Sequence, residues 1–174
     1  MTGRAWDADA GLEELYDQHW HRLVRLSYLL LHDQGSAEEV VQDAFVAMHG
    51  RWNTLRDPDH ALAYLRQSVV NRSRSVLRHR SVVTKHLRRG LGERLLDAPP
   101  ASVPVEADER RDRVLAALRQ LPRRQREVLA LRHYLELSER EIAATLGISA
   151  GAVKSHASRG AAALRALLGT EEDR

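Results

Sequence analysis

This sequence of 174 residues predicts an all-α protein of two small helical domains joined by a flexible linker. Three observations carry that reading. Apolar residues recur at three- and four-residue steps through most of the chain, and strongly β-patterned runs bounded by turns are missing. Two Ser-x-x-Glu signatures, Ser36–Glu39 and Ser138–Glu141, have the form of capping boxes that open helices. Between the halves, Asp97-Ala-Pro-Pro-Ala-Ser-Val-Pro104 cannot propagate a helix and reads as extended chain.

In order along the chain, a first helix begins near Gly11 and reaches about His32, with Leu12, Leu15, Leu23, Leu26 and Leu30 on it and Tyr16 and Trp20 adding bulk. The box at Ser36 opens a second, ending near Gly50, whose core face carries Val40, Val41, Ala44, Phe45 and Met48. Residues 51–59 connect it to a third, entered through Asp57-Pro58, a cap followed by a proline suited to the first turn. That helix runs to about Arg80, with Leu62, Leu65, Val69 and Leu77 inward and arginines crowding its sides; from Ser81 the pattern weakens. We take 10–89 as the first domain, 90–109 as linker and 110–168 as the second domain. Stretched at about 3.3 Å per residue, the linker spans roughly 65 Å. At about 3.4 Å per base pair that is roughly nineteen base pairs of duplex.

In the second domain, helices near 110–119 and 123–134 brace a helix-turn-helix. Ser138 caps its first helix, Gly147 supplies the turn, and Ser149 caps a second helix running to about Leu168. On that last helix Val153, Ala157, Gly160, Leu164 and Leu167 share one face, while Gly151, Lys154, Ser155, Ser158 and Arg159 fall opposite. An apolar seam behind small polar and cationic groups is what a major-groove reader requires. An ordinary amphipathic hairpin with a solvated face is the plainer alternative.

A net charge of +3 hides a sharp partition. Residues 1–50 hold 3 Lys/Arg against 9 Asp/Glu, whereas residues 51–95 hold 11 against 3 and residues 123–170 hold 8 against 4. Two basic blocks point to two contacts with a polyanion, and the acidic block to a partner with a basic surface. Only Lys85 and Lys154 are lysine, a bias explained equally by phosphate geometry and by GC-rich coding. The absence of cysteine excludes disulfides, thiol catalysis and thiolate zinc sites. His19 and His21 sit on different faces, and no His-Glu-x-x-His pattern, phosphate loop or catalytic triad is legible, so we expect no metal, no cofactor and no enzymatic activity. Apolar runs fall short of membrane-spanning length, which leads us to expect a cytoplasmic protein without direct membrane insertion.

The segments SAEEVVQDAF (36–45), AYLRQSVVNRSRSVLRHR (63–80), LPRRQREVLALRHYLELSEREIAATLGIS (121–149) and GAVKSHASRGAAALRALL (151–168) resemble the extracytoplasmic-function (ECF, group IV) sigma factors of the sigma-70 family. The resemblance covers about 10–168 in the family's order of region 2, linker and region 4, with regions 1.1 and 3 absent. It implies a specificity subunit of bacterial RNA polymerase, nucleoid-associated when bound to the enzyme. Implied partners are the β′ clamp helices and β flap of core polymerase, promoter DNA and an anti-sigma protein. By resemblance Glu38, Glu39, Gln42, Asp43 and Val46 dock on polymerase. Arg51, Trp52, Asn53, Thr54, Arg66, Asn71, Arg74 and Arg78 attend the −10 element, while Arg140, Lys154, Ser155, Ser158 and Arg159 attend the −35 element. Trp52 reads equally as a buried anchor. Ser158 departs from the larger side chains often found at its position, and His156 has no assigned role. By analogy the linker threads the polymerase channel, its Glu106, Asp108 and Glu109 mimicking RNA charge. The rival readings are a conventional dimeric DNA-binding regulator and a helical adaptor that binds no DNA.

Overall fold

The computed structural model describes residues 8–55, 57–90 and 106–169; among these it holds seven α-helices and no strand. The first half comprises α1 (Ala8–Leu31), α2 (Gln34–His49) and α3 (Pro58–Gly90), with a short 3-10 turn at Trp52–Thr54. The second comprises α4 (Glu106–Gln120), α5 (Arg123–Leu129), α6 (Glu139–Leu146) and α7 (Ala150–Gly169). Most of the stretch read as linker lies outside the described residues, and its last part, from Glu106, is already helical.

Leu23, Leu26 and Leu30 of α1 pack with Val40, Val41, Ala44, Phe45 and Met48 of α2 and with Leu65, Val69 and Val70 of α3. The core faces expected from spacing are therefore the ones buried, except that Leu12, Leu62 and Leu77, and Leu164 and Leu167 in the second half, are only half-buried. One buried polar pair, Ser27 and Ser73 at 3.1 Å, joins α1 to α3 within this core. Trp52 is 7% exposed and belongs to the same core, so the structure favours the anchor over the base-capturing ring.

Among the helix boundaries that differ from expectation are the start of α2 and the end of α3. The cap of α2 is Asp33, whose Oδ1 accepts from the Ser36 N–H at 2.8 Å, and the helix starts at Gln34. Ser36 therefore lies inside the first turn, where its hydroxyl accepts from Arg80 at 2.7 Å. The third helix passes Arg80 and ends at Gly90, because no proline or glycine interrupts 81–89. Its last turns leave Val82, Val83 and Leu87 exposed. The expected cap does hold at its start, where Asp57 Oδ1 accepts from the His60 N–H at 2.9 Å.

Both halves share one continuous hydrophobic core, which extends from α1 and α3 to Val128, Leu131, Leu135, Ile142 and Val153. Arginines cap the carbonyls at the end of α1, which have no partner within the helix, and the one from α5 also joins the two halves. Arg126 donates to the Leu30 carbonyl at 3.0 Å and Arg80 to that of Leu31 at 3.3 Å. Across the same seam Arg22 donates to the Leu135 carbonyl at 3.4 Å. After α5 the chain passes through a π-helical turn, Ala130–Tyr134, closed by Leu135 N–H donating to Ala130 at 3.3 Å.

His32 ends α1 in the left-handed region with φ 55°, a conformation histidine and asparagine tolerate better than most residues. Burial, then the charges of Arg126 and Arg119, lower its pKa from 6.5 to about 4. The folded state thus favours the neutral ring, so its stabilising contribution is complete above pH 6.5 and is lost as pH falls towards 4. His32→Asn keeps a residue suited to the backbone and removes this titration. Its melting temperature is expected to fall less steeply than the wild type's across that window; parallel slopes in circular-dichroism melts would refute the assignment.

Candidate nucleic-acid interface

Local chemistry fixes the position of α7. At the start of α6, Ser138 Oγ accepts from the Glu141 N–H at 3.3 Å, while the Glu141 carboxylate accepts from the Ser138 N–H at 2.8 Å. The Ser138 hydroxyl, which donates to the carboxylate at 2.7 Å, then the Ser138 N–H, aided by the Arg66 charge, hold the Glu141 carboxyl below its ordinary pKa. Gly147 then reverses the chain at φ 64°, and Ser149 Oγ accepts from the Ala152 N–H at 3.1 Å. Val153, Ala157 and Gly160 of α7 are buried. A Cβ on Gly160 would stand 3.1 Å from side-chain atoms of Gln125 and Leu129, so α7 presses closely on the side chains of α5 there.

The opposite face is open. Lys154, Ser155, Ser158 and Arg159 are all exposed, as is Arg140 on α6. Glu139 accepts from Arg132 at 3.0 Å and faces Lys154 at 3.7 Å, which steadies the front of the helix pair. His156 is half-buried at the flank. Small hydroxyls and two cations on a rigid helix can enter a groove and donate to bases or phosphates.

A second open face lies on α2, where Glu38, Glu39, Gln42, Asp43 and Val46 are all exposed, Val46 by 67%. Beside it runs a groove of about 530 Å³ lined by Tyr16, Trp20, Phe45 and Val46 among others. Tyr16 stacks on Trp20 with centroids 4.7 Å apart and meets Phe45 edge-on at 5.3 Å. An apolar centre with an acidic rim fits protein binding better than mere solvation. Tyr16 and Trp20 were legible as bulk on α1, but their convergence with Val46 was not, because it depends on how α1 crosses α2.

The third face is α3, and here the structure divides what the resemblance grouped. Asn71 and Arg78 are exposed, and Asn71 lines a shallow groove of about 270 Å³ with Tyr64, Gln67, Ser68, Arg72 and Ser75. Tyr64, Gln67 and Ser68 were missed in the sequence, although their helical spacing to Asn71 marks one stripe. Exposed Arg51 sits over the Tyr64 ring at 5.9 Å, and Thr54 donates to the Arg51 carbonyl at 2.7 Å. The Asn53 side chain lies outside the described residues.

Arg66 and Arg74 turn elsewhere. Arg74 lines a tight space with Ser73, Leu77 and, from α5, Arg123, Arg126 and Glu127. Arg74 makes two bonds to Glu127 of α5, at 2.7 and 2.9 Å, and a third to Asn71 at 3.2 Å. Arg66 faces Glu141 at 3.8 Å, and burial lowers its pKa despite that carboxylate. In this conformation both are engaged by carboxylates of the second half, whereas Arg78 is exposed. Among the described residues no group of three or more His, Asp or Glu side chains is placed to hold a metal, and no helix is long and apolar enough to cross a membrane.

Comparison with known proteins is consistent along the chain. Residues 15–83 match the family model for sigma-70 region 2, and residues 111–164 that for sigma-70 region 4. An RNA polymerase sigma-E factor of Streptomyces avermitilis is 35% identical over 158 residues, covering 88% of this chain and 82% of that one. The ECF RNA polymerase sigma factor SigL of Mycobacterium tuberculosis is 32% identical over 175 residues, covering 97% and 94%. In fold, the chain is similar to the sigma factor RpoE of Bartonella quintana, solved with the anti-sigma factor NepR. The TM-score is 0.72 at 22% identity, over 90% of this chain and 96% of that one.

Proposed function

Because the chain belongs to the ECF sigma factors of the sigma-70 family, alternative sigma factors that direct promoter recognition by RNA polymerase, we propose that its three open faces carry separate tasks. The α7 face reads the −35 element: Arg159 pairs with a base, Ser155 and Ser158 lie against base edges, and Lys154 and Arg140 meet phosphates. The observation that carries this reading is the capped α6–turn–α7 unit with its small, cationic outer face exposed. The outer stripe of α3 with Asn71 and Arg78, together with Arg51 and Thr54, handles the −10 element. Arg66 and Arg74 join it once freed. Trp52 supports this face from the core rather than stacking on a base.

The α2 face docks on the β′ clamp helices, with Val46 and the neighbouring aromatic groove as the apolar centre and Glu38, Glu39, Gln42 and Asp43 as the acidic rim. Region 4 meets the β flap. We place the protein in group IV, in the cytoplasm and on the nucleoid when polymerase-bound. Polymerase performs all catalysis, and this subunit uses no metal or cofactor. An anti-sigma protein is a fitting regulator, as the complex of the Bartonella relative illustrates.

The test is reconstitution. Purified chain plus sigma-free core polymerase is expected to start transcripts at promoters sharing two upstream elements, whereas the chain alone binds duplex DNA weakly. Strong operator binding by a dimer without polymerase would favour a conventional regulator instead. Reversing charge in Glu39→Lys/Asp43→Lys is expected to weaken core binding by at least about tenfold, since like charges at an interface are costly. Asp43 faces Arg72 at 3.5 Å in an exposed pair, which contributes little to stability. The double variant should therefore melt like the wild type, and unchanged core affinity would remove the docking assignment.

A further inference from the structure

We propose that a groove lined by α1, α4 and the π-helical turn binds a nucleoside polyphosphate, its phosphates held by Arg22, Arg25 and Arg111 and its base lying against Tyr28 and Tyr134. The inference goes beyond the polymerase and promoter contacts and does not depend on them. The groove has a volume of about 670 Å³, within the roughly 300–1,000 Å³ usual for small-molecule sites. It is separate from the aromatic groove beside α2 and from the groove around Asn71.

Its cations run against the charge of their own surroundings. Residues 1–50 hold 3 Lys/Arg against 9 Asp/Glu, and two of those three cations, Arg22 and Arg25, line this groove. They lie three residues apart on α1 and so share a face. Arg111 of α4 brings a third guanidinium, and all three side chains are exposed. No Asp or Glu lines the groove, although Asp112 and Glu136 are close in sequence. Among the described residues Arg25 and Arg111 make no ion pair, and Arg22 makes only its 3.4 Å bond to the Leu135 carbonyl. Like charges gathered without a carboxylate repel one another, and a bound polyanion turns that repulsion into attraction. The planar guanidinium also matches phosphate oxygens in pairs.

An irregular backbone brings Tyr134 to the same place. It closes the π-helical turn Ala130–Tyr134, and two residues later Glu136 turns the chain at φ 56°, a left-handed conformation that is costly for a side chain of its size. Such turns are rare and recur at functional sites. Burial pushes the half-buried Tyr134 phenol above its ordinary pKa, against the opposing charges of Arg25 and Arg22. The hydroxyl therefore stays protonated and can donate to a phosphate oxygen beside those two guanidiniums. Tyr28, half-buried on α1, adds the second ring. Gln18 and Gln34 also line the groove; each donates one amide N–H to a neighbouring Glu, at 3.1 and 2.6 Å, and keeps the other for a base edge. With no carboxylate to share a divalent cation, the groove suits phosphates that arrive without one.

Calorimetric titration of the full chain with ADP, in EDTA and about 0.15 M salt, is expected to show one saturable site with Kd below about 1 mM. Pyrophosphate and adenosine should each bind at least about fivefold more weakly than ADP. At tenfold excess over Kd, ADP should raise the melting temperature by about 3–6 °C. Arg25→Gln/Arg111→Gln should weaken ADP binding at least about tenfold, since each lost contact is charge-assisted. Lys85→Gln/Arg165→Gln removes the same charge from exposed positions elsewhere and should leave Kd within about twofold. If the first pair does not fold, Tyr134→Phe carries the test: it keeps the ring and should cost about three- to tenfold. Equal weakening by the two pairs means diffuse attraction to a basic chain and overturns the site. Pyrophosphate binding as tightly as ADP overturns the nucleotide, and a hexaglutamate peptide binding as tightly reassigns the groove to an acidic protein segment. No saturable binding of ADP overturns the proposal outright.

Discussion

Arg159→Ala is expected to cut initiation at promoters bearing a −35 element by about 5- to 150-fold, the equivalent of about 1–3 kcal/mol for a lost bidentate base contact. Arg159 is exposed on the outer face of α7, one turn beyond Ser155, on a helix anchored by Val153, Ala157 and Gly160. Removing it leaves that anchorage intact, so the fold should be unaffected within about 0.5 kcal/mol. The effect therefore belongs to recognition. Run-off transcription on paired templates, one with its −35 element scrambled, reads it directly: the variant should be impaired on the intact template and match the wild type on the scrambled one. Equal losses on both would mean that Arg159 contacts backbone only. Lys154→Ala gives the contrast, weakening binding on every sequence and flattening its salt dependence by about one counterion.

Ile142→Ala should destabilise the protein by about 2–5 kcal/mol, the range for truncating a large aliphatic side chain in a close-packed core. Ile142 has no exposed surface and lies on α6, between the capping box and the turn that aims α7. Typical domains have only about 5–15 kcal/mol in total, so a loss of that size is a large share. Because the core runs through both halves, urea unfolding should shift to a lower midpoint in one transition. A shift worth less than about 1 kcal/mol would show that the site collapses around the alanine, against the usual behaviour of such positions.

The helix-turn-helix was the most legible part of the chain because its determinants are local. Ser138 and Glu141 are three residues apart, and the left-handed turn needs only Gly147. Helix faces followed from periodicity for the same reason. The start of α2 was misread because Asp33 and Ser36 are both good caps, and Glu39 three residues after Ser36 completes a box on paper. Asp33 wins by binding the Ser36 N–H, which leaves Glu39 on the outer face. The periodic pattern weakens from Ser81, yet the β-branched Val82, Val83 and Thr84 cost only tenths of a kcal/mol per residue, and the helix persists to Gly90.

The α3 face was partly legible. The stripe of Arg66, Val70, Arg74 and Leu77 differs from that of Gln67, Asn71 and Arg78, and two of its members are apolar. What covers it was not, since Glu127 lies 53 residues from Arg74 and nothing local links them. The π-helical turn at Ala130–Tyr134 left no signal at all in the pattern.

If α7 reads the −35 element as proposed, Gly160 sets the tolerance of that reading. It is the point at which α7 touches α5, and a Cβ there, 3.1 Å from Gln125 and Leu129, is accommodated either by those side chains giving a few tenths of an ångström or by one rod tilting against the other. Gly151 lies nine residues up the axis, about 13 Å at 1.5 Å per residue, so a tilt of about 5° there moves the tip by about 1 Å. A hydrogen bond has less play than that. Replacement at this one position can thus leave a folded, polymerase-competent subunit that addresses the wrong genes, an error of aim rather than of strength.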